Sequence, residues 1–185
     1  MILVGDLYAD ACLLKRGGSG DVEDIWIEFA KQFRWVTGVA GNHDLFEGKD
    51  EFPNAFQKIS NIHPLHKSDI TLDGLRIGGI SGILGNPRKI WRYTDPEFYR
   101  AAMDLLRNKP MDCLVLHQGP SGSRKGMRGL QLVNESIIDA GRPPSMITFG
   151  HCYWPEPVDQ SGECDLVNSD GRVFLLTRQG LEIGI

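Results

Sequence analysis

No stretch of this 185-residue chain approaches the ~20 consecutive apolar residues that a membrane-spanning helix requires. The apolar N-terminus is interrupted by Asp6 and Asp10 and no positive residue precedes it, so no signal peptide is expected. Cysteine is scarce. Cys12, Cys113, Cys152 and Cys164 show no Cys-x-x-Cys spacing, and Cys113 lies in an apolar run, where it reads as a small buried hydrophobe. A reduced, cytoplasmic setting is the expectation. A surplus of positive charge is also lacking: 20 Lys and Arg stand against 24 Asp and Glu, for a net charge of -4. That balance argues against a general nucleic-acid binder, which needs a basic face. Repeats, low-complexity tracts and linkers are absent too, so residues 1–185 read as one domain. At this length a hydrophobic core folds without disulfides or a structural metal.

What is present is an alternation of short apolar runs and helical stretches, which predicts an α/β fold. Strands are expected at 1–4, 35–40, 62–65, 113–116 and 146–149. Another pair is expected within 69–80, around the hairpin turn Asp73-Gly74. Val22, Ile25, Trp26, Phe29 and Phe33 recur at helical spacing and predict a helix over 21–33, with Asp21 as its cap. A second helix is predicted over 95–108, opened by Asp95-Pro96, and a third over 134–140, stopped by Gly141. Four glycines in residues 78–86 predict a loop, and segments 165–167, 173–177 and 181–185 predict a terminal β-meander. His63 and His66 are read as a turn and a surface residue, and Trp91 and Trp154 as core.

The chemistry collects at strand ends. Ile2-Leu3-Val4 is followed by Gly5-Asp6, and the run 35–40 by Gly41-Asn42-His43-Asp44. The run 113–116 is followed by His117, and 146–149 by Gly150-His151. Continuous apolar runs of this kind are buried on both faces, and in open α/β sheets ligands bind beyond the carboxyl ends of the strands. Any one of these signals alone reads more simply as a turn or a hydrogen-bonded strand end. Together they place a carboxylate, an amide oxygen and imidazoles at one edge. Such a donor set suits Mn, Fe, Zn or Ni better than Ca or Mg. A nucleophilic hydrolase built on Cys152 or Ser121 finds no nucleophile-elbow context.

These residues resemble the calcineurin-like metallophosphoesterase family, whose motifs run DxH, GDxx, GNH[D/E], a strand-end His, then GHxH. GDLY at 5–8, GNHD at 41–44, LVLHQGP at 114–120 and GHCY at 150–153 match the last four in order. The resemblance implies a four-layer α-β-β-α sandwich and a metal-dependent phosphoesterase acting on a phosphomonoester or phosphodiester through metal-activated water. Asp6 would bridge two metals, and Asn42, His117 and His151 would complete the second metal's ligands. His43 would contact the phosphate and protonate the leaving oxygen, with Asp44 holding its ring. Two departures strike the other metal. No Asp-x-His occurs in the sequence, so the sandwich is expected to lack its first strand, and Tyr153 stands where the family has a histidine. That site would keep Asp6, aided by Tyr153 or Asp10. One metal site is therefore expected to be complete. The alternative is a catalytically impaired member serving as a scaffold. Partners expected are a small phosphoester, with a protein partner or homo-oligomer as further options, and no membrane.

Overall fold

The computed structural model describes residues 1–8, 18–49, 51–177 and 180–183. Asp10 and Cys12 lie outside the described residues, as do 184–185 of the last expected strand. In chain order the elements begin with β1 (Ile2–Leu3), β2 (Gly20–Asp21), α1 (Glu23–Gln32), β3 (Val36–Gly38) and β4 (Asp44–Leu45). A 3-10 turn (Asn54–Lys58) leads to β5 (Ile62–Pro64), β6 (Ser68–Leu72), β7 (Leu75–Ile80), β8 (Ile83–Leu84) and β9 (Arg92–Tyr93). The rest are α2 (Asp95–Asn108), β10 (Cys113–Gln118), α3 (Gln131–Ala140), β11 (Met146–Gly150), β12 (Val158–Ser161), β13 (Cys164–Asn168), β14 (Phe174–Thr177) and β15 (Gly180–Ile183).

The fold is α/β. A parallel three-stranded sheet runs β1-β3-β5, and a six-stranded sheet runs β12-β13-β11-β10-β7-β6. The middle of the larger sheet, β13-β11-β10-β7, is parallel, and antiparallel strands close both edges. Three hydrophobic clusters hold these parts together. One packs Phe98, Leu105 and Leu106 of α2 and Val133 and Ile137 of α3 on the larger sheet through Leu114, Leu116, Ile147 and Phe149. Another joins Trp26 of α1 to Val36, Phe46, Phe56 and Ile62 beside the smaller sheet. A third draws Val39 and Leu65, beyond the smaller sheet's strands, onto Ile77, Cys113 and Val115 of the larger one. Trp91 and Trp154 are buried core, as their surroundings in sequence predict.

Several expectations change in detail. Helix α1 starts at Glu23 because the Asp21 carboxylate turns back to accept the Glu23 N–H at 2.9 Å. Helix α2 keeps its predicted bounds, but its cap is Thr94: Glu97 accepts the Thr94 N–H at 2.8 Å while the Thr94 side chain accepts the Glu97 N–H, the reciprocal arrangement of a capping box. Helix α3 begins three residues early, at Gln131. The glycine-rich stretch is half strand, since Gly78 and Gly79 belong to β7. A Cβ at Gly79 would stand 2.8 Å from side-chain carbons of both Leu65 and Val39, so this glycine lets the two sheets approach. The terminal meander does not form. β13 pairs parallel with β11 inside the large sheet, β12 is an additional edge strand, and β14 and β15 pair only with each other. His66 is half-buried against the rings of Trp91 and Tyr93 rather than on the surface. Among the described residues no helix is long and apolar enough to cross a membrane.

Candidate metal centre

The carboxyl ends of the two sheets meet. Gly5 (φ 88) and Asp6 (φ 52) turn the chain sharply after β1, and a Cβ on Gly5 would lie 2.4 Å from the Gly41 nitrogen. A Cβ on Gly41 would lie 2.1 Å from Asp6 Oδ1 in return. Two backbones are thus pressed together where only glycine fits, and the Asp6 side chain stands between them. Asp6 is an L-residue in the left-handed region, a strain of about 1–2 kcal/mol that its surroundings must offset. One offset is the His43 N–H, which donates to Asp6 Oδ1 at 3.0 Å.

His117 occupies a bulge in β10. Leu116 pairs with Phe149 but Gln118 with Gly150, so His117 is the extra residue and its side chain is re-aimed. It is fully buried. Its Nδ1 lies 2.7 Å from the Val4 carbonyl oxygen, which can only accept, so Nδ1 carries the proton and Nε2 presents a lone pair. Nε2 stands 3.2 Å from Asp6 Oδ2, an ion-pair distance, and meets no hydrogen-bond partner. Two donors about 2.1 Å from one ion, at octahedral or tetrahedral angles, lie about 3.0–3.4 Å apart. The observed 3.2 Å falls within that range. His151 follows β11 at φ 63, its ring centroid 5.1 Å from that of His117. Donor atoms of Asp6, His117 and His151 all lie within 4.8 Å of one another, the one such group of three among the described residues.

Beside this triad, two further polar atoms are buried without partners: Asn42 Oδ1 and His43 Nδ1. Orphaned buried groups are costly, and when they cluster they mark a place where a ligand completes them. The triad's donor atoms lie close enough to share a transition-metal ion, and the Asn42 amide oxygen is a donor of suitable chemistry. Asp44 takes a different part from the expected one. Its carboxylate accepts the Gly41 N–H at 2.8 Å and the Tyr8 N–H at 3.1 Å, and its carbonyl accepts Trp91 Nε1 at 2.9 Å. It braces the backbone of the Gly41 turn, and the His43 ring nitrogen is left to the site. Tyr153 is 62% exposed and carries Arg172 over its ring.

Electrostatics follow from this packing. Burial opposes ionisation of Asp6, but the adjacent His117 ring and the His43 N–H outweigh it and hold the carboxyl below its ordinary value. Burial pushes Asp44 upward against its two backbone N–H bonds. Burial also disfavours a charged His117, yet Asp6 overrides it and raises the ring's basicity, which strengthens a ligand nitrogen. Burial and then the neighbouring His117 lower His151, which favours its neutral form. The Val4 carbonyl and the Tyr8 N–H are backbone partners that carried no signal in the sequence.

No family model matches the chain, and no curated protein matches it. Solved structures do. One crystal structure superposes with a TM-score of 0.61 at 16% identity, over 80% of this chain and 62% of that one. A Staphylococcus aureus protein described as a candidate 5'-nucleotidase, solved with alpha-ketoglutarate, superposes with a TM-score of 0.51 at 11% identity. That match covers 89% of this chain and 39% of the other. The chain thus spans less than two thirds of either neighbour, and at these identities the likeness is one of fold.

Proposed function

We propose that this chain is a metal-dependent phosphoesterase of the calcineurin-like type, a single domain hydrolysing a small phosphomonoester or phosphodiester. The observation that carries the proposal is the convergence of Asp6, His117 and His151 from three strand ends of two sheets, with buried Asn42 and His43 atoms left unpaired beside them. Asp6, Asn42, His117 and His151 would hold Mn, Fe, Zn or Ni. That ion would polarise a phosphoryl oxygen and make water a stronger nucleophile near neutral pH. The chain's own residues do the rest. The Val4 carbonyl fixes the His117 tautomer, and Asp44 fixes the Gly41 turn that carries Asn42 and His43. His43, whose main chain is tied to Asp6, offers an unpaired ring nitrogen to hold the phosphate and protonate the leaving oxygen. The fold neighbour described as a 5'-nucleotidase is consistent with this chemistry.

A specific observation favours a second reading, an impaired member serving as a scaffold or interaction module. Tyr153 is largely exposed, and among the described residues no second group of three His, Cys, Asp or Glu donors comes together. Losing one cation of a pair removes a transition-state charge contact, commonly ~10²–10³ in rate. Metal content and turnover separate the readings. The purified chain should bind close to one equivalent of Mn, Fe, Zn or Ni and hydrolyse p-nitrophenyl phosphate or its bis ester with added Mn²⁺. His43→Ala should lower kcat by ~10²-fold or more while binding the metal as before. Metal uptake with no turnover supports the scaffold, and no uptake removes the phosphoesterase reading.

A further inference from the structure

His151 is the donor with the least local support. It lies past the end of β11 in a left-handed conformation, and Cys152, Tyr153 and Trp154 after it belong to no helix or strand. A second turn, residues 168–172 at the end of β13, grips this segment at several points. Ser169 N–H donates to the Phe149 carbonyl at 2.7 Å, and Asn168 N–H to that of Pro157 at 2.7 Å. The Asn168 side chain, fully buried, donates from Nδ2 to the Cys152 carbonyl at 2.5 Å. Its Oδ1 accepts the Asp170 N–H at 3.2 Å and Arg172 Nη1 at 3.4 Å. Arg172 Nη2 then donates to the Trp154 carbonyl at 2.8 Å, and its guanidinium lies 4.7 Å over the Tyr153 ring.

The pairing of β11 with β13 already secures the strand as far as Phe149. The Asn168 and Arg172 side chains add nothing to that ladder. Their bonds fall on the carbonyls one and three residues past His151, where the chain would otherwise relax out of the left-handed turn. A buried carboxamide with both ends engaged fixes a backbone direction, because releasing either end strands a buried polar atom.

We propose that Asn168 and Arg172 are positioning residues that hold His151 on the metal centre and so set its metal affinity. The proposal rests on the reading of Asp6, Asn42, His117 and His151 as a metal site. Partners at this remove from an ion change its affinity by ~10–100-fold when lost. Mn²⁺ binding by titration calorimetry and the visible spectrum of the Co²⁺-loaded protein test it. Asn168→Ala should weaken Mn²⁺ binding ~10–100-fold and shift the Co²⁺ bands toward those of His151→Ala. Arg172→Ala should weaken it by about 10-fold. Arg172→Lys should not restore it, because an ammonium cannot reproduce the fork that joins Asn168 to Trp154. Arg76→Ala, which breaks a polar hub at the far end of the sheet, should lower Tm and leave Mn²⁺ affinity within about twofold.

A wild type that binds Mn²⁺, a His151→Ala variant that does not, and Asn168→Ala and Arg172→Ala variants within twofold of wild type would overturn the positioning role alone. A wild type that takes up neither Mn²⁺ nor Co²⁺ removes the site reading, and the positioning role falls with it. If Asn168→Ala does not fold, Arg172→Ala decides by the same measure, since its side chain is only part-buried.

Discussion

β7 and β10 lie side by side in parallel, and their two ends treat polar groups in opposite ways. At the amino-terminal end, Arg76 donates Nε and Nη2 to Asp69 at 2.8 and 3.0 Å and Nη1 to the carbonyls of Lys109 and Pro110. Its own N–H is taken by Asp112 at 2.7 Å. The chain there saturates itself. At the carboxyl end, His117 has one nitrogen satisfied by Val4 and the other unpartnered, and Asn42 and His43 each bury an unpartnered atom. Two residues of that end, Asp6 and His151, also sit in left-handed backbone. The first corner is built for stability. The second carries strain and unmet bonding, and that contrast is what the proposed metal site predicts.

The contrast is sharpest at His151. If its φ of 63 is kept for function, glycine should suit the fold better than histidine does. His151→Gly is expected to abolish measurable Mn²⁺ binding, a loss beyond the ~10–100-fold assigned to outer partners. The same change should raise the metal-free protein's unfolding free energy by about 1 kcal/mol, read from urea titration. A variant that is less stable and still binds metal would erase the distinction between the two ends.

Arg76 offers the reverse test. Arg76→Ala leaves Asp69 and two carbonyls without their donor, and should cost about 2 kcal/mol in urea unfolding. Mn²⁺ affinity and any turnover should not move. A parallel fall in metal affinity would mean that the two ends of β7 and β10 are coupled, and the comparison would fail.

These two corners were not equally legible in the sequence. The carboxyl end could be read because each buried strand is a continuous apolar run that stops at a glycine or a polar donor. That spacing survives without any knowledge of the contacts. Helix α2 was readable for a similar reason, since its proline and acidic first turn are local, although the cap lies one residue earlier, at Thr94. What could not be read depends on partners distant in the chain. β12 is a polar edge strand, Val-Asp-Gln-Ser, with no alternation to betray it; it exists because β13 offers a free edge. Asp44 was placed on the right turn but given the wrong partner, because its carboxylate prefers two nearby N–H groups to an imidazole. The bulge that aims His117 arises from the mismatch between β10 and β11 and has no signature within either strand.

The smallest expected effect lies at the start of β10, again on the self-sufficient end. Cys113 is buried in the cluster drawn from both sheets, and that burial pushes its thiol up to about 12. A folded-state value above the unfolded one means that the folded protein keeps its proton longer. The associated stability is whole below the unfolded thiol value and is lost as pH rises from about 9 toward about 12. Cys113→Val removes that dependence with little change in volume. The stability of wild type relative to Cys113→Val should therefore be flat up to about pH 8.5 and then fall with a slope of up to about 1.4 kcal/mol per pH unit. Alkylation with iodoacetamide at pH 8.5, followed by peptide mass analysis, should leave Cys113 unmodified until the protein unfolds. Ready labelling in the native protein would show that this end of the sheet opens locally, and that its saturated bonds do not make it the more rigid of the two.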